Sequence, residues 1–381
     1  MEREGEKGFV SGDAFMREHP LCKRCYRLIH YGELTPVSVT AEEYRQTLEK
    51  ALKRPSVILY VIDLFDFNGS LVKGIETLLR GHEIVIAINK FDLFPKGTRP
   101  ERVKQWVVRE AVKKGLLVRD AYVVSAKNGQ GVGELAETLD TRSKGRQVVV
   151  LGMANVGKSS LLNRLIATMD EDEGQKLTTS LYPGTTLGMV SMTLPGGQLT
   201  FTDTPGLLGT YRVMDRVCAK SLKDIFPIDR IKPRVYQLTA EQTIFLGGLA
   251  RVDLVKGNPQ SLVIYAANQL KIHRTKLIRA DELYEHHVGE LLTPPCEDCA
   301  RDLQPLLPKK MRFTKGRPFD LVISGLGFIQ FSGLESELVV HAPKGVETTI
   351  RPSLIGGNKK GPGEGTKWPI SRRISPSSGT R

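Results

Sequence analysis

Nine consecutive residues, Gly152-Met-Ala-Asn155-Val156-Gly157-Lys158-Ser159-Ser160, carry the spacing G-x-x-x-x-G-K-S. Glycines at that spacing let the backbone curl until several N–H groups point at one phosphate. The helix that follows turns its positive end toward the same group. Lys158 supplies a compact charge for the β- and γ-phosphates, and the Ser159 hydroxyl is a Mg²⁺ ligand. Farther along, Asp203-Thr-Pro-Gly206 closes an apolar run. There Asp203 can hold Mg²⁺ through water, and the Gly206 N–H can sense the γ-phosphate. Between the two lies YPGTT, where Thr186, or alternatively Thr185, closes over the metal as a first switch.

These groups bind a triphosphate without choosing its base. Asn89-Lys90-Phe91-Asp92 can choose it. A carboxylate such as Asp92 accepts two hydrogen bonds from guanine, and adenine presents no such pair of donors. The wrong base would leave a buried charge unpaired, which a polar site rejects strongly. Lys90 can lie along the base plane, and Ser125-Ala126-Lys127 can offer a backbone N–H to the guanine carbonyl. A phosphate-loop ATPase or kinase would require the Asn-Lys-Phe-Asp stretch to be accidental.

Positioning such groups takes a sheet. SVILYVIDLF (56–65) and EIVIAINKF (83–91) are near-continuous apolar runs, the pattern of parallel strands buried on both faces. AYVVSAK and RQVVVLG read as further strands, and GMVSMTL with QLTFTDTPG as a hairpin pair. SLVKGIETLLRG (70–81) fits a helix closed by glycine, and PERVKQWVVREAVKKG (100–115) an amphipathic helix opened by proline. The fold class expected is α/β, a phosphate-loop GTPase domain. Its motifs run guanine motif, SAK, phosphate loop, switch threonine, DTPG, which is the usual set rotated. A sheet tolerates this when its old termini lie close together; the new joint would be TRSKGRQ.

The remainder sets the context. The chain has 381 residues, 40% hydrophobic and 25% charged, an ordinary soluble composition for two or three domains. No apolar run reaches the roughly 18 to 20 residues that a membrane span needs, and the N-terminus has neither a signal nor a transit-peptide pattern. No membrane partner is therefore expected, and the cytoplasm is the default compartment. Net charge is +13, which suits a polyanionic partner if the charge is clustered. After about residue 225 the texture turns β-rich with Gly and Pro punctuation, and beyond 355 it becomes a basic, Gly/Pro/Ser-rich tail. The divisions expected are an N-terminal, partly zinc-finger-like segment (1–36), the permuted G domain (37–225), a β-rich α+β domain (226–357) and a disordered tail (358–381). Of five cysteines, Cys22 with Cys25 and Cys296 with Cys299 form C-x-x-C pairs, and Cys218 reads as a small buried hydrophobe.

This motif order, with an upstream C-x-x-C and a β-rich C-terminal half, resembles the circularly permuted GTPases of the YqeH type. The resemblance covers CKRCYRLIHYGEL, IDLFDFNGS, NKFDLFPKG, NVGKS, YPGTTL and DTPG, then FLGGLARVD, KIHRTK, GELLTPP, SGLGF and APKGV. It implies a bacterial, or bacterial-derived organellar, assembly factor for the small (30S) ribosomal subunit. Its partners would be GTP, GDP and that subunit with its rRNA. Lys271, Arg274 and Lys276 in one basic cluster, with Lys310 and Arg312 in another, are then the candidate RNA-phosphate contacts. The family's four-cysteine zinc site would place Zn²⁺ at Cys22 and Cys25, yet residues 1–20 hold no other pair. Cys296 and Cys299 could join them, or both pairs could be reduced thiols without metal.

Leu207 follows DTPG where Ras-like enzymes carry a water-orienting glutamine, so intrinsic hydrolysis should be slow. Resemblance to potassium-activated GTPases implies that the Asn155 side chain helps hold K⁺ against the phosphates. The segment after Gly206 runs straight into the second domain, which suggests that switch movement is passed to it. The alternative is a GTP-dependent RNA- or ribosome-binding module with negligible turnover.

Overall fold

A computed structural model describes residues 38–173, 180–183, 190–193 and 199–356. The N-terminal segment with Cys22 and Cys25, the switch threonines Thr185 and Thr186, and the tail 358–381 lie outside the described residues. In chain order the strands of the first half are β1 (Ser38–Val39), β2 (Ser56–Asp63), β3 (Glu83–Asn89), β4 (Val118–Val123), β5 (Gln147–Leu151), β6 (Ser180–Pro183), β7 (Val190–Thr193), β8 (Thr200–Asp203) and β9 (Gly206–Leu207). The helices that matter here are α1 (Ala41–Ala51), α2 (Phe67–Ser70), α3 (Pro100–Lys113), α4 (Val132–Ser143) and α5 (Lys158–Glu173).

Every residue of β2 is buried, and all of β3 except Glu83, as strands covered on both faces require. The main sheet runs β4-β3-β2-β5-β8-β7-β6. β2 pairs in parallel with β3 on one side and with β5 on the other. β7 lies antiparallel to β8, the expected hairpin, and β6 antiparallel to β7. The guanine-motif strand β3 and the phosphate-loop strand β5 thus flank one shared neighbour, β2. Rotating the chain order has left the strand neighbours of one domain intact.

Helix α3 begins at Pro100 and buries Val103, Trp106, Val107 and Ala111, a single helical face. The helix expected over 70–81 does not form. Gly74 takes a left-handed φ of 74°, and the Val72 N–H donates to the Tyr60 hydroxyl at 2.7 Å. With one early donor taken and the next turn broken, only the 3-10 turn Ile75–Thr77 remains.

The second half consists of β10 (Arg234–Leu238), β11 (Gln242–Leu246), β12 (Ala250–Gly257), β13 (Gln260–Ala266), β14 (Ile272–Lys276), β15 (Leu306–Phe313), β16 (Phe319–Ile323), β17 (Gly327–Phe331), β18 (Ser336–Pro343) and β19 (Thr348–Pro352). They form two antiparallel sheets, β10-β13-β17-β16-β19 and β14-β11-β12-β18-β15. Ile244, Val252 and Val340 of one sheet share a core with Ile264, Leu321 and Ile329 of the other. Alternate residues of the first sheet (Tyr265, Val322, Phe328) belong instead to the core of the GTPase sheet, so this sheet is packed on both faces.

The halves interlock in both directions. Val213, Met214 and Ile225 lie in the second core, and Ile231 lies in the first. The Trp106 indole N–H donates to the Pro352 carbonyl at 3.0 Å. Arg351 lies 4.9 Å from the ring centres of both Trp106 and Phe328. It also donates to Asn68 Oδ1 at 2.8 Å. Among the described residues no helix is long and apolar enough to cross a membrane.

Candidate nucleotide-binding site

The rim of the site is the set of C-terminal strand ends, where α/β sheets hold their ligands. Asn89 closes β3, and its side chain ties three loops together. Its Nδ2 donates to the Val156 carbonyl of the phosphate loop at 3.0 Å, and its Oδ1 accepts the Ala126 N–H at 3.0 Å. Lys90 follows with φ 65° and ψ 30°, a left-handed conformation that costs a non-glycine residue roughly 1–2 kcal/mol. It is held there by the Phe91 N–H bonding to the Val124 carbonyl at 3.2 Å. The Lys90 ammonium reaches Asp63 Oδ2 at 2.6 Å and the Asn155 carbonyl at 2.7 Å. The next turn presents Asp92, whose Oδ1 accepts the Ser125 hydroxyl at 2.6 Å. That bond fixes the carboxylate and leaves its acceptor capacity for a base.

Packing, as well as phosphate approach, dictates the glycines of the phosphate loop. A Cβ on Gly152 would meet the Val61 carbonyl at 2.5 Å, and one on Gly157 would collide with Asn89 Nδ2. The Gly152 N–H donates to the Tyr44 hydroxyl of α1 at 3.2 Å. Burial pushes the Tyr44 pKa up to about 12, so it stays a neutral hydroxyl. Val156 is buried, while Asn155 is exposed with φ 64°. From DTPG, a Cβ on Gly206 would lie 3.0 Å from Ala154 Cα and 3.3 Å from Lys158 Nζ. The Ala154 N–H donates to the Leu207 carbonyl at 2.7 Å. β9 pairs with β1, so Leu207 is pinned and buried with no polar side chain to offer a water.

A cavity of about 510 Å³ joins the two motif sets. Its wall includes Asn89, Lys90, Asp92, Ala126 and Lys127 at one end and Asn155, Gly157, Lys158, Ser159, Ser160 and Gly206 at the other. Val156 and Ser125 are not in the wall but hold it through Asn89 and Asp92, and Gly152 opens the loop. Asp203 pairs with Val150 at the end of β8, beside the strand that leads into the loop. The Ser159 hydroxyl and Asp203 carboxylate are hard oxygen donors of the kind Mg²⁺ takes.

Sequence reasoning missed one wall. Phe226, Pro227 and Ile228 line the cavity, the Lys90 ammonium lies 4.3 Å from the Phe226 ring centre, and Lys127 Nζ donates to the Ile228 carbonyl at 3.1 Å. The Phe-Pro pair after a short helix is the local signal, and it looks like any linker.

The candidate RNA contacts are not brought together. Lys271, Arg274 and Lys276 lie at or on β14, and Lys310 and Arg312 on β15, the two opposite edges of one sheet. All five are exposed. Arg274 donates to the Gln237 carbonyl at 3.1 Å, and Arg312 lies 3.6 Å from Glu337. Cys218 is exposed rather than buried. As the residue before a short helix it faces outward, so it does not serve as a small hydrophobe.

Residues 259–354 match the family described as "YqeH-like, C-terminal", and residues 147–242 the family described as "50S ribosome-binding GTPase". The chain is 39% identical over 348 residues to the protein YqeH of Bacillus subtilis (strain 168), spanning 91% of this chain and 94% of that one. It is 30% identical over 411 residues to NO-associated protein 1, chloroplastic/mitochondrial, of Arabidopsis thaliana, spanning 93% and 72%. Among solved structures, YjeQ from Thermotoga maritima is 26% identical across 40% of this chain and 48% of that one. Its TM-score of 0.25 is too low for the superposition to carry an argument.

Proposed function

This chain belongs to the YqeH family of GTPases, and on that footing we propose that it serves assembly of the small (30S) ribosomal subunit, binding the precursor's rRNA in a nucleotide-dependent way. The observation that carries the nucleotide part is the single cavity shared by Asp92 and Lys158. Base recognition and phosphate binding, far apart and inverted in the sequence, face one space.

The chain hydrolyses GTP. Asp92 accepts from the guanine N1–H and exocyclic amine, and the Lys127 amide faces the base carbonyl, while the Ala126 N–H, held by Asn89 Oδ1, braces that turn beside it. Lys90 covers the base from the side of Phe226. Gly152, Asn155, Val156, Gly157 and Ser160 provide the phosphate cradle, and Lys158 stabilises the charge that builds on the β,γ-bridge and γ-oxygens. When bound, Mg²⁺ neutralises the same oxygens, and Ser159, Asp203 and Thr186, with Thr185 the alternative, would hold it. Asn155, exposed at the cavity, would hold K⁺. Leu207 cannot orient water, so turnover waits on the subunit. Cys22 and Cys25 of the N-terminal segment would supply two of the ligands of a Zn²⁺ ion.

The rotated order gives the switch an output. The segment after Gly206 continues into the second half, where the Val213 N–H donates to the Ser324 carbonyl at 2.8 Å and the Glu347 N–H to the Tyr211 carbonyl at 2.9 Å. Loss of γ-phosphate contact at Gly206 would then move β16 and β19, whose sheet shares its core with the sheet whose edges carry Arg274 and Lys310. The bacterial and organellar relatives favour work in the bacterial cytoplasm or an organelle matrix.

Turnover measured alone, with purified 30S subunits and with 50S subunits, in K⁺ and in Na⁺, tests this. Stimulation by the 30S subunit alone, larger in K⁺, is expected. Equal stimulation by both subunits, or by neither, would overturn the small-subunit assignment. Equal rates in the two salts would remove Asn155 from the mechanism.

A further inference from the structure

Cys218 immediately precedes Ala219–Ile225 (α6), and Cys296, beyond Ala280–His287 (α7), immediately precedes Glu297–Leu303 (α8), with Cys299 in the first turn of the latter. The three Sγ atoms all lie within 4.8 Å of one another, and those of Cys218 and Cys296 are 3.6 Å apart. That is far beyond the roughly 2.05 Å of a disulfide. Thiolates on a tetrahedral Zn²⁺, each about 2.3 Å from the metal, sit about 3.8 Å from one another. The spacing is that of ligands around a common centre.

The surroundings suit thiolates. The Cys218 N–H donates to Cys299 Sγ at 3.2 Å, the outer hydrogen bond that orients a ligating sulfur. Ser221 Oγ accepts the Cys296 N–H at 3.0 Å, which fixes the start of α8 against α6. Burial in an apolar core accounts for Cys299, which packs with Leu303. It accounts only in part for Cys296, which is half-buried at the edge of that core, and not at all for Cys218, which is exposed. Nor does chain proximity explain the cluster, because 78 residues separate Cys218 from Cys296. Cys296-x-x-Cys299 is a common zinc spacing, and thiol sulfur prefers Zn²⁺ over the hard cations of the nucleotide site.

We propose that Cys218, Cys296 and Cys299 bind one Zn²⁺ ion, with the fourth position on the exposed Cys218 side taken by water or an incoming ligand. The metal ties α6, which leads from the nucleotide switch, to α8 of the second half.

The test uses the full chain, reduced and stripped of metal, carrying Cys22→Ser and Cys25→Ser so that the N-terminal pair is silent. Cd²⁺ is titrated while thiolate-to-cadmium absorption is followed, and Zn²⁺ affinity is measured against a chromophoric chelator. One metal per chain is expected, with an absorption intensity appropriate to three thiolates. Adding Cys218→Ser, Cys296→Ser or Cys299→Ser should each weaken Zn²⁺ by more than the roughly 10–100-fold that loss of an outer partner costs. GDP affinity, measured on every variant, separates a lost ligand from a lost fold. If the doubly substituted chain binds GDP but no metal, the proposal is wrong. The same holds if metal binding survives Cys296→Ser with Cys299→Ser, or if the reduced chain only forms a Cys218–Cys296 disulfide on oxidation.

Discussion

Arg212 donates from Nη1 to the Ala154 carbonyl, 3.1 Å away inside the phosphate-binding loop. Its Nε lies 3.2 Å from Asp66 and 3.4 Å from Asp215, and the side chain is 1% exposed. The next residue, Val213, is clamped to Ser324 of the second half. Gly325 makes the close approach possible: it has φ 76°, and a Cβ there would meet the Met214 nitrogen at 2.9 Å. One buried guanidinium therefore touches the phosphate loop beside the joint that leads to the C-terminal sheets.

Replacing Arg212 separates its two roles. Arg212→Met would leave two buried carboxylates facing no cation, and breaking a buried pair in this way costs about 3–5 kcal/mol. Urea unfolding should show a loss of that size. Arg212→Lys keeps the charge but not the planar fork, so it should retain most of the stability while loosening the Ala154 contact. Hydrogen exchange of residues 226–356 should differ between GDP and a GTP analogue in the parent, and differ much less in Arg212→Lys. An undiminished difference in the lysine variant would take Arg212 out of the coupling path.

Asp66 gives the fold a pH dependence of unusual sign for a carboxylate. Burial raises its pKa from 3.8 to about 6, against the lowering by Arg212 and the Gly325 N–H. Between those values the folded chain keeps a proton that the unfolded chain has released. Stability from this group is therefore complete below about pH 4 and is lost as pH rises through 6, on the order of 3 kcal/mol in all. Unfolding free energies measured at steps from pH 4 to 7 should fall more steeply in the parent than in Asp66→Asn. Identical slopes would mean that Asp66 is ionised throughout.

What could be read from the sequence was what is local in it. Asn89, Lys90 and Asp92, the Ser125–Lys127 turn and the phosphate loop each declare their chemistry within a few residues. The strands that carry them are apolar throughout because both faces are covered. The helix expected over 70–81 failed because the Tyr60 hydroxyl, distant in sequence, takes the Val72 N–H. Phe226, Arg212 and the partners of Cys218 were invisible for the same reason, since their meaning lies in residues 58 or more positions away. The basic clusters were legible as charge, but their placement on opposite edges depends on strand order, which no local pattern encodes.

Phe226 should matter to the base more than to the phosphates. Its ring closes the cavity beside the guanine motif and lies under the Lys90 ammonium, an interaction worth roughly 0.5–2 kcal/mol depending on how dry it is. Phe226→Ala is expected to weaken GDP and GTP by the same factor, about 3- to 30-fold, in equilibrium titrations. Phe226→Tyr should restore most of it. A loss confined to GTP would instead place this ring in the γ-phosphate response.

The base assignment is the sharpest test of the cavity. Asp92 is fixed by the Ser125 hydroxyl at 2.6 Å in the wall of the cavity, with acceptor positions to spare. In Asp92→Asn the amide keeps the shape, and its oxygen can still take one donor, but its NH₂ group faces the guanine amine. Xanthine carries a carbonyl at that position and accepts the new donor. Polar sites that lose a matched pair reject the old ligand by several orders of magnitude, up to about 10⁴–10⁵-fold, and here one retained bond reduces that. Titration of Asp92→Asn should show GTP weakened by at least about 100-fold while xanthosine triphosphate becomes the preferred nucleotide. ATP should bind neither protein well, because neither side chain suits its edge. Comparable GTP affinity in the two proteins would mean that Asn89-Lys90-Phe91-Asp92 is only a strand-end turn, and the early guanine motif would lose its function.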